Sequence, residues 1–151
     1  MFRWLKILVL LSRFGLAAMW LFAAGAKLYT FEDFSFNLTN LMRESLATPV
    51  AVAVIASELL AAVLLVVPRT ARAGAALTAS MLVGFALYGL YYVYVMKGEP
   101  LECGCFGGII GSQLGVKTAL RNLLLLIPAA IVIFGTPRLR RTTRESHAVA
   151  A

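Results

Sequence analysis

The sequence predicts an all-α integral membrane protein, a four-helix bundle with both termini in the cytoplasm. The chain has 151 residues, of which 61% are hydrophobic and only 14% are charged, and this composition is unlike that of a water-soluble domain. Long apolar stretches recur along the chain, and Lys and Arg are concentrated between alternate stretches. We therefore expect a single membrane domain covering residues 1–151.

Four stretches are long enough to span a bilayer. The apolar layer of a membrane is about 30 Å thick and requires roughly 20 helical residues for each crossing. Helices that meet this requirement are predicted at approximately 5–28, 48–67, 71–96 and 115–136. The third is the clearest, because no charged residue occurs between residues 73 and 96.

The distribution of charge predicts the orientation, since short loops rich in Lys and Arg stay in the cytoplasm. With both termini inside, the cytoplasmic side has one acid, Glu145, and a large excess of cations: Arg3, Lys6, Arg69, Arg72, Arg138, Arg140, Arg141 and Arg144. On the opposite side the cations are balanced by acids: Lys27, Arg43, Lys97, Lys117 and Arg121 against Glu32, Asp33, Glu44, Glu99 and Glu102.

Two segments outside the predicted spans have their own patterns. Residues 31–46 place apolar side chains at helical spacing, which is typical of an interfacial helix and also compatible with a surface connector. Residues 138–151 form a basic tail that we expect to contact anionic lipid. Nucleic-acid binding is not expected, because no aromatic residues are interleaved with these arginines.

The third loop, residues 97–114, contains both cysteines of the chain, Cys103 and Cys105. A disulfide closing so small a ring is strained, and strain favours exchange over a permanent structural role. The predicted orientation puts this loop in an oxidising compartment. Thiol–disulfide exchange is the preferred interpretation. An inert pair and capture of a soft metal such as Cu(I) or Hg(II) remain open.

Charged residues within or next to the apolar stretches are a second signal. Arg13 and Glu58 lie inside predicted spans, where an isolated charge costs at least ~2.5–3.5 kcal/mol. Their estimated depths predict an ion pair between the first two spans. Lys27 and Arg121 are expected near the extracytoplasmic ends of their helices, where they reach the interface or line the space beneath the cysteines. Tyrosines at the end of the third span suggest an aromatic belt, or alternatively a quinone pocket.

The sequence resembles the MauE family of methylamine-utilisation membrane proteins, which is similar to the broader DoxX-like four-helix membrane proteins. The resemblance rests on motifs in the first, second and fourth spans and in the third loop: Arg13-Phe-Gly-Leu and Ala24-Gly-Ala-Lys-Leu, Ser57-Glu-Leu-Leu, Cys103-Gly-Cys-Phe-Gly, and Arg121-Asn122. The Cys-x-Cys-Phe-Gly element with the following Arg-Asn is the most specific.

This resemblance implies formation or relay of disulfides at the outer face of a bacterial cytoplasmic (inner) membrane, as a component of a thiol–disulfide oxidoreductase system. It implies a thioredoxin-like partner in the same compartment, or a larger membrane complex. Cys103 and Cys105 would be the redox pair. The supporting polar positions would be Arg13, Lys27, Glu58, Arg121 and Asn122. The chain has no Cys-x-x-Cys of its own, so electrons must be exchanged with another protein or a quinone.

Two alternatives come from other functional classes. The chain could be a noncatalytic subunit that packs into a larger complex, for which the small residues Ala71, Ala75, Gly84 and Gly89 offer close helix contacts. It could also transfer a soft metal through its two thiols. No other cofactor is expected from the sequence.

Overall fold

The computed structural model describes residues 2–39, 42–94 and 116–149, and in these ranges the chain forms five α-helices. The helices are α1 (Phe2–Tyr29), α2 (Phe31–Thr39), α3 (Glu44–Val66), α4 (Ala71–Tyr94) and α5 (Val116–Val149). All except α2 contain a segment that is long and apolar enough to cross a membrane. The predicted all-α fold with four spans is therefore confirmed. The loop at 97–114, with Cys103 and Cys105, lies outside the described residues.

The four long helices form a ring around a common centre. α1 packs against α3 and α5, and α4 packs against the same two helices. Consequently α1 faces α4 across the centre, and α3 faces α5. Because successive spans alternate in direction, α1 and α4 end on the side where α3 and α5 begin. We call this side the loop end, since residues 95–115 connect α4 to α5 there, and the opposite side the terminal end.

Small residues fill the contacts between helices, and large apolar residues cover the outside. Ala61, Ala75 and Ala129 are fully buried, whereas Leu11 is 67% and Phe134 68% exposed. This arrangement suits a lipid environment, in which exposed apolar side chains carry no penalty and close backbone contacts provide the packing energy. The outer surface of the bundle is thus a lipid-contacting surface.

The shortest connection between spans, the turn after α3, depends on a glycine. A Cβ atom at Gly74 would lie 2.8 Å from the backbone nitrogen of Leu65, so only glycine allows α4 to approach α3 this closely. The hydroxyl of Thr70 donates a hydrogen bond to the carbonyl of Leu64 over 3.1 Å. These contacts hold the start of α4 against the end of α3.

The connection between α1 and α3 includes the short helix α2, which packs mainly on α3. Phe34 of α2 belongs to one buried cluster with Ala24, Ala51 and Ile55, so α2 covers the junction of α1 and α3 at the loop end. The expected interfacial segment 31–46 is helical in α2 only to Thr39, and its end belongs to α3. α3 starts at Glu44 instead of near 48, and it includes Pro49 in its second turn.

The last helix extends beyond the predicted span. α5 continues to Val149, so residues 138–149 of the predicted basic tail 138–151 are helical. The apolar part of α5 that is suited to a membrane ends at Thr136. The basic part of the helix therefore follows the span at the terminal end of the bundle.

Candidate functional site

Lys27 and Glu58 form an ion pair in the interior of the bundle. Nζ of Lys27 lies 2.6 Å from Oε1 of Glu58, and the two side chains are only 2% and 1% exposed. Each charge would be costly to keep alone in an apolar surrounding, and the pair compensates for part of that cost. The pair joins α1 directly to α3.

The helices around this pair position it and exclude solvent. Lys27 lies in the last turn of α1, close to the loop end. Phe34 of α2 lies over the lysine, with Nζ 5.6 Å from the centre of its ring. Of the two positions expected for Lys27, the one at the membrane interface is wrong, because α2 covers the lysine and its side chain turns inward. The other, beneath the cysteines, stays a prediction, since the cysteines lie outside the described residues.

The predicted pair between Arg13 and Glu58 is also wrong. Nε of Arg13 donates to the carbonyl of Leu65 over 3.0 Å, and Nη2 donates to the carbonyl of Val66 over 2.9 Å. α3 ends at Val66, so these carbonyls have no donor within the helix and carry the negative end of its dipole. Arg13 thus caps the C-terminus of α3, at the terminal end of the bundle.

The direction of the side chains explains why Lys27 and not Arg13 reaches Glu58. In an α-helix each Cα–Cβ bond tilts toward the N-terminus. α1 starts at the terminal end, so Lys27 and Arg13 both point toward that end. α3 starts at the loop end, so Glu58 points toward the loop end. Lys27 and Glu58 therefore approach each other, whereas Arg13 points away from Glu58.

Two further predicted residues lie beside Glu58, in the first turns of α5. Glu58, Arg121 and Asn122 line a cavity of about 20 Å³ at the centre of the bundle. Asn122 is 4% exposed, and Arg121 is half-buried. The structure thus brings together Lys27, Glu58, Arg121 and Asn122, which we call the polar centre. Arg13 lies apart from these residues.

A hydrogen bond across the centre involves two residues that the sequence did not single out. Nε1 of Trp20 donates to Oγ1 of Thr78 over 3.0 Å, and both groups are buried. This bond connects α1 to α4, which face each other diagonally. A tryptophan and a threonine within apolar stretches are common, so only the fold reveals that they meet. Trp20 also forms part of the cavity wall.

The position of Cys103 and Cys105 relative to this polar centre follows only from which helices their segment connects. Residues 95–115, which include Cys103 and Cys105, connect the end of α4 to the start of α5 at the loop end. Asn122 follows in the second turn of α5. Among the described residues, no three His, Cys, Asp or Glu side chains cluster as a metal site would require.

Comparison with known proteins adds the family. The model of the family described as "Methylamine utilisation protein MauE" matches residues 5–135. The chain belongs to the MauE family. The match extends from the first turns of α1 to the end of the apolar part of α5, so it includes all four spans, the polar centre and the segment with both cysteines. No curated protein and no solved structure matches the chain.

Proposed function

We propose that this MauE-family member is a membrane thiol–disulfide redox protein whose working groups are Cys103 and Cys105. The observation that carries the proposal is that the chain's two cysteines are separated by one glycine in the segment between two membrane spans. A bridge between such close neighbours constrains the chain very little, because stabilisation by a disulfide grows with the size of the loop it closes. A structural role is therefore disfavoured, and thiol–disulfide exchange is the chemistry that we propose for the pair.

The exchange proceeds through a mixed disulfide. When this protein oxidises its partner, a thiolate of the reduced partner attacks one sulfur of the Cys103–Cys105 disulfide. The other cysteine then leaves as a thiolate. The second thiolate of the partner then attacks the mixed disulfide. The partner becomes the disulfide, Cys103 and Cys105 become the dithiol, and two electrons pass to this protein. The reverse sequence of steps would reduce the partner.

The preferred compartment is the extracytoplasmic side of a bacterial cytoplasmic membrane. Arg3, Lys6, Arg69 and Arg72 belong to the terminal end, and short cationic segments favour the cytoplasm. The loop end then faces an oxidising space, where disulfides persist. A soluble thioredoxin-like protein in that space is the proposed partner, because this chain supplies no second redox pair.

Returning the dithiol to the disulfide requires an electron acceptor, and a lipid-soluble quinone can take the two electrons and two protons. The central cavity is not suited to this role. Its volume of about 20 Å³ is far below the roughly 150 Å³ that accommodates benzene. A quinone would have to bind elsewhere on the protein.

The alternative of a packing subunit loses much of its basis. Ala71 and Ala75 are fully buried inside the bundle, and Gly89 is buried as well. Of the four small residues considered for contacts with another protein, only Gly84 is exposed. The small residues thus mainly serve the internal packing of this chain.

Single substitutions Cys103→Ser and Cys105→Ser test the proposal. After acid quench and alkylation of whole cells, mass spectrometry should find the cysteines of the unaltered protein partly paired, and at least one variant should accumulate a mixed disulfide with another protein. The double variant is the matched control, because it can form neither species. Unpaired, inert thiols in the unaltered protein and no adduct in either variant would refute the redox function.

A further inference from the structure

The cavity between α1, α3, α4 and α5 has mainly apolar walls with a few polar side chains. Glu58, Arg121 and Asn122 contribute polar groups, and Trp20 and Phe85 contribute ring surfaces. A cavity needs about 10–15 Å³ to accommodate a water molecule, and this one has about 20 Å³. The space is therefore sufficient for one water and too small for a ring or an acyl chain.

Two polar atoms at this cavity have unused hydrogen-bonding capacity. Oε2 of Glu58 and Nδ2 of Asn122 are buried, and the described residues offer neither of them a hydrogen-bond partner. Glu58 is completely buried and Asn122 is 4% exposed. Leaving such atoms unsatisfied in an apolar interior is costly, so a native structure normally provides a partner.

We propose that the cavity holds one ordered water molecule that donates a hydrogen bond to Oε2 of Glu58 and accepts one from Nδ2 of Asn122. Water fits the requirements because one atom to be satisfied is an acceptor and the other a donor. An anion has no hydrogen to donate to Oε2 of Glu58. An additional cation is disfavoured because Lys27 already neutralises that carboxylate and Arg121 also lines the cavity. An apolar occupant would leave both atoms unsatisfied.

The water gives the bundle a second connection across its centre. Trp20 and Thr78 connect α1 to α4 directly. A water between Glu58 and Asn122 connects α3 to α5, the other diagonal pair. The ion pair with Lys27 extends this connection to α1. The inference does not depend on the cysteines, and it stands or falls independently of the redox function.

Direct detection of the water is the first test. The intact protein in lipid nanodiscs, with ¹⁵N-labelled asparagine, should give an NMR cross-peak between water and the side-chain amide of Asn122. The sign of this cross-peak should be the one that a bound water gives. A structure at a resolution that shows ordered solvent should contain density between Glu58 and Asn122. An amide that shows no contact with bound water in the folded protein would overturn the proposal.

The substitution Asn122→Leu gives a second test, because a hydrated and a dry cavity predict opposite changes in the stability of the protein. If the water is present, leucine removes one of its partners, and the folding equilibrium constant should fall about tenfold. If the cavity is dry, leucine removes an unsatisfied amide and should stabilise the protein, which would overturn the proposal.

The matched control is the same substitution in a chain that also carries Lys27→Met and Glu58→Leu. In that background the water has no acceptor to satisfy, so Asn122→Leu should cause no loss. An equal loss in both backgrounds would show that the effect arises from packing and would contradict the proposed bridge. Should Asn122→Leu fail to fold, the amide measurement on the unaltered protein decides alone.

Discussion

The ion pair between Lys27 and Glu58 predicts a large and specific response to the substitution Lys27→Met. Methionine keeps an unbranched side chain that can still pack beneath Phe34, but it removes the ammonium group. Glu58 then remains fully buried without its cation. Because removal of one partner of a buried pair leaves an uncompensated charge, we expect the free energy of unfolding to fall by about 3–5 kcal/mol.

The geometry determines this magnitude. The charged atoms are 2.6 Å apart and the side chains are 2% and 1% exposed, so the ~0–1 kcal/mol typical of exposed pairs does not apply. The double variant Lys27→Met, Glu58→Leu should recover most of the loss, because apolar residues of similar volume often replace a buried pair without net cost. The double-mutant cycle should therefore give a coupling energy of about 3 kcal/mol or more.

Reversible unfolding in mixed micelles, or steric trapping in bicelles, measures these free energies. The control is Lys6→Met, which changes an exposed lysine of the same helix and should alter the free energy by no more than about 0.5 kcal/mol. An effect of Lys27→Met as small as that of Lys6→Met would show that the ion pair contributes little. A loss in the double variant equal to the sum of the two single losses would show that Lys27 and Glu58 are not coupled.

Three further substitutions test other contacts by the same unfolding measurement. Gly74→Ala should destabilise the protein by about 1–3 kcal/mol through overpacking, because the added Cβ would lie 2.8 Å from backbone. The control Gly84→Ala, whose Cβ meets nothing within 4 Å, should be neutral or stabilise by up to about 1 kcal/mol. Equal effects of the two substitutions would contradict the close approach of α4 to α3 at Gly74. Trp20→Phe should cost about 0.5–1.5 kcal/mol by removing the donor to Thr78, and an additional Thr78→Val should then cost little more. Arg13→Met should cost about 1–3 kcal/mol because the last carbonyls of α3 lose their donors, and no loss would show that water or lipid replaces the guanidinium.

The number, order and approximate limits of the spans could be predicted because they follow from the length and hydrophobicity of contiguous stretches. The family motifs implied five supporting polar positions without assigning their contacts. The structure brings four of them, Lys27, Glu58, Arg121 and Asn122, to a shared region and places Arg13 elsewhere. Which residues form the buried polar region is easier to predict than which of them are in contact, since a charge in an apolar stretch must find some partner.

The identity of each partner could not be predicted, because it depends on geometry that the sequence does not specify. Pairing by depth alone selected Arg13 for Glu58, since it ignored the tilt of side chains toward the helix N-terminus. It also omitted the carbonyls at the end of α3, which are strong acceptors that no side-chain pattern reveals. The contact of Trp20 with Thr78 requires the ring order of the helices, which follows only from the assembled bundle.

The two buried cations of α1 contact α3 at separate places, and this determines what they contribute. Lys27 holds α1 to the interior of α3, whereas Arg13 holds it to the end of α3. Sliding one helix along the other by a single turn, about 5.4 Å, would break both contacts together and leave several buried polar groups unsatisfied. Hydrophobic contacts alone would penalise that shift much less, because alanines line the contact on both helices. A buried ion pair adds little net stability compared with apolar residues, but an arrangement that separates its two members leaves a buried charge uncompensated, so the charges chiefly specify the register of α1 and α3.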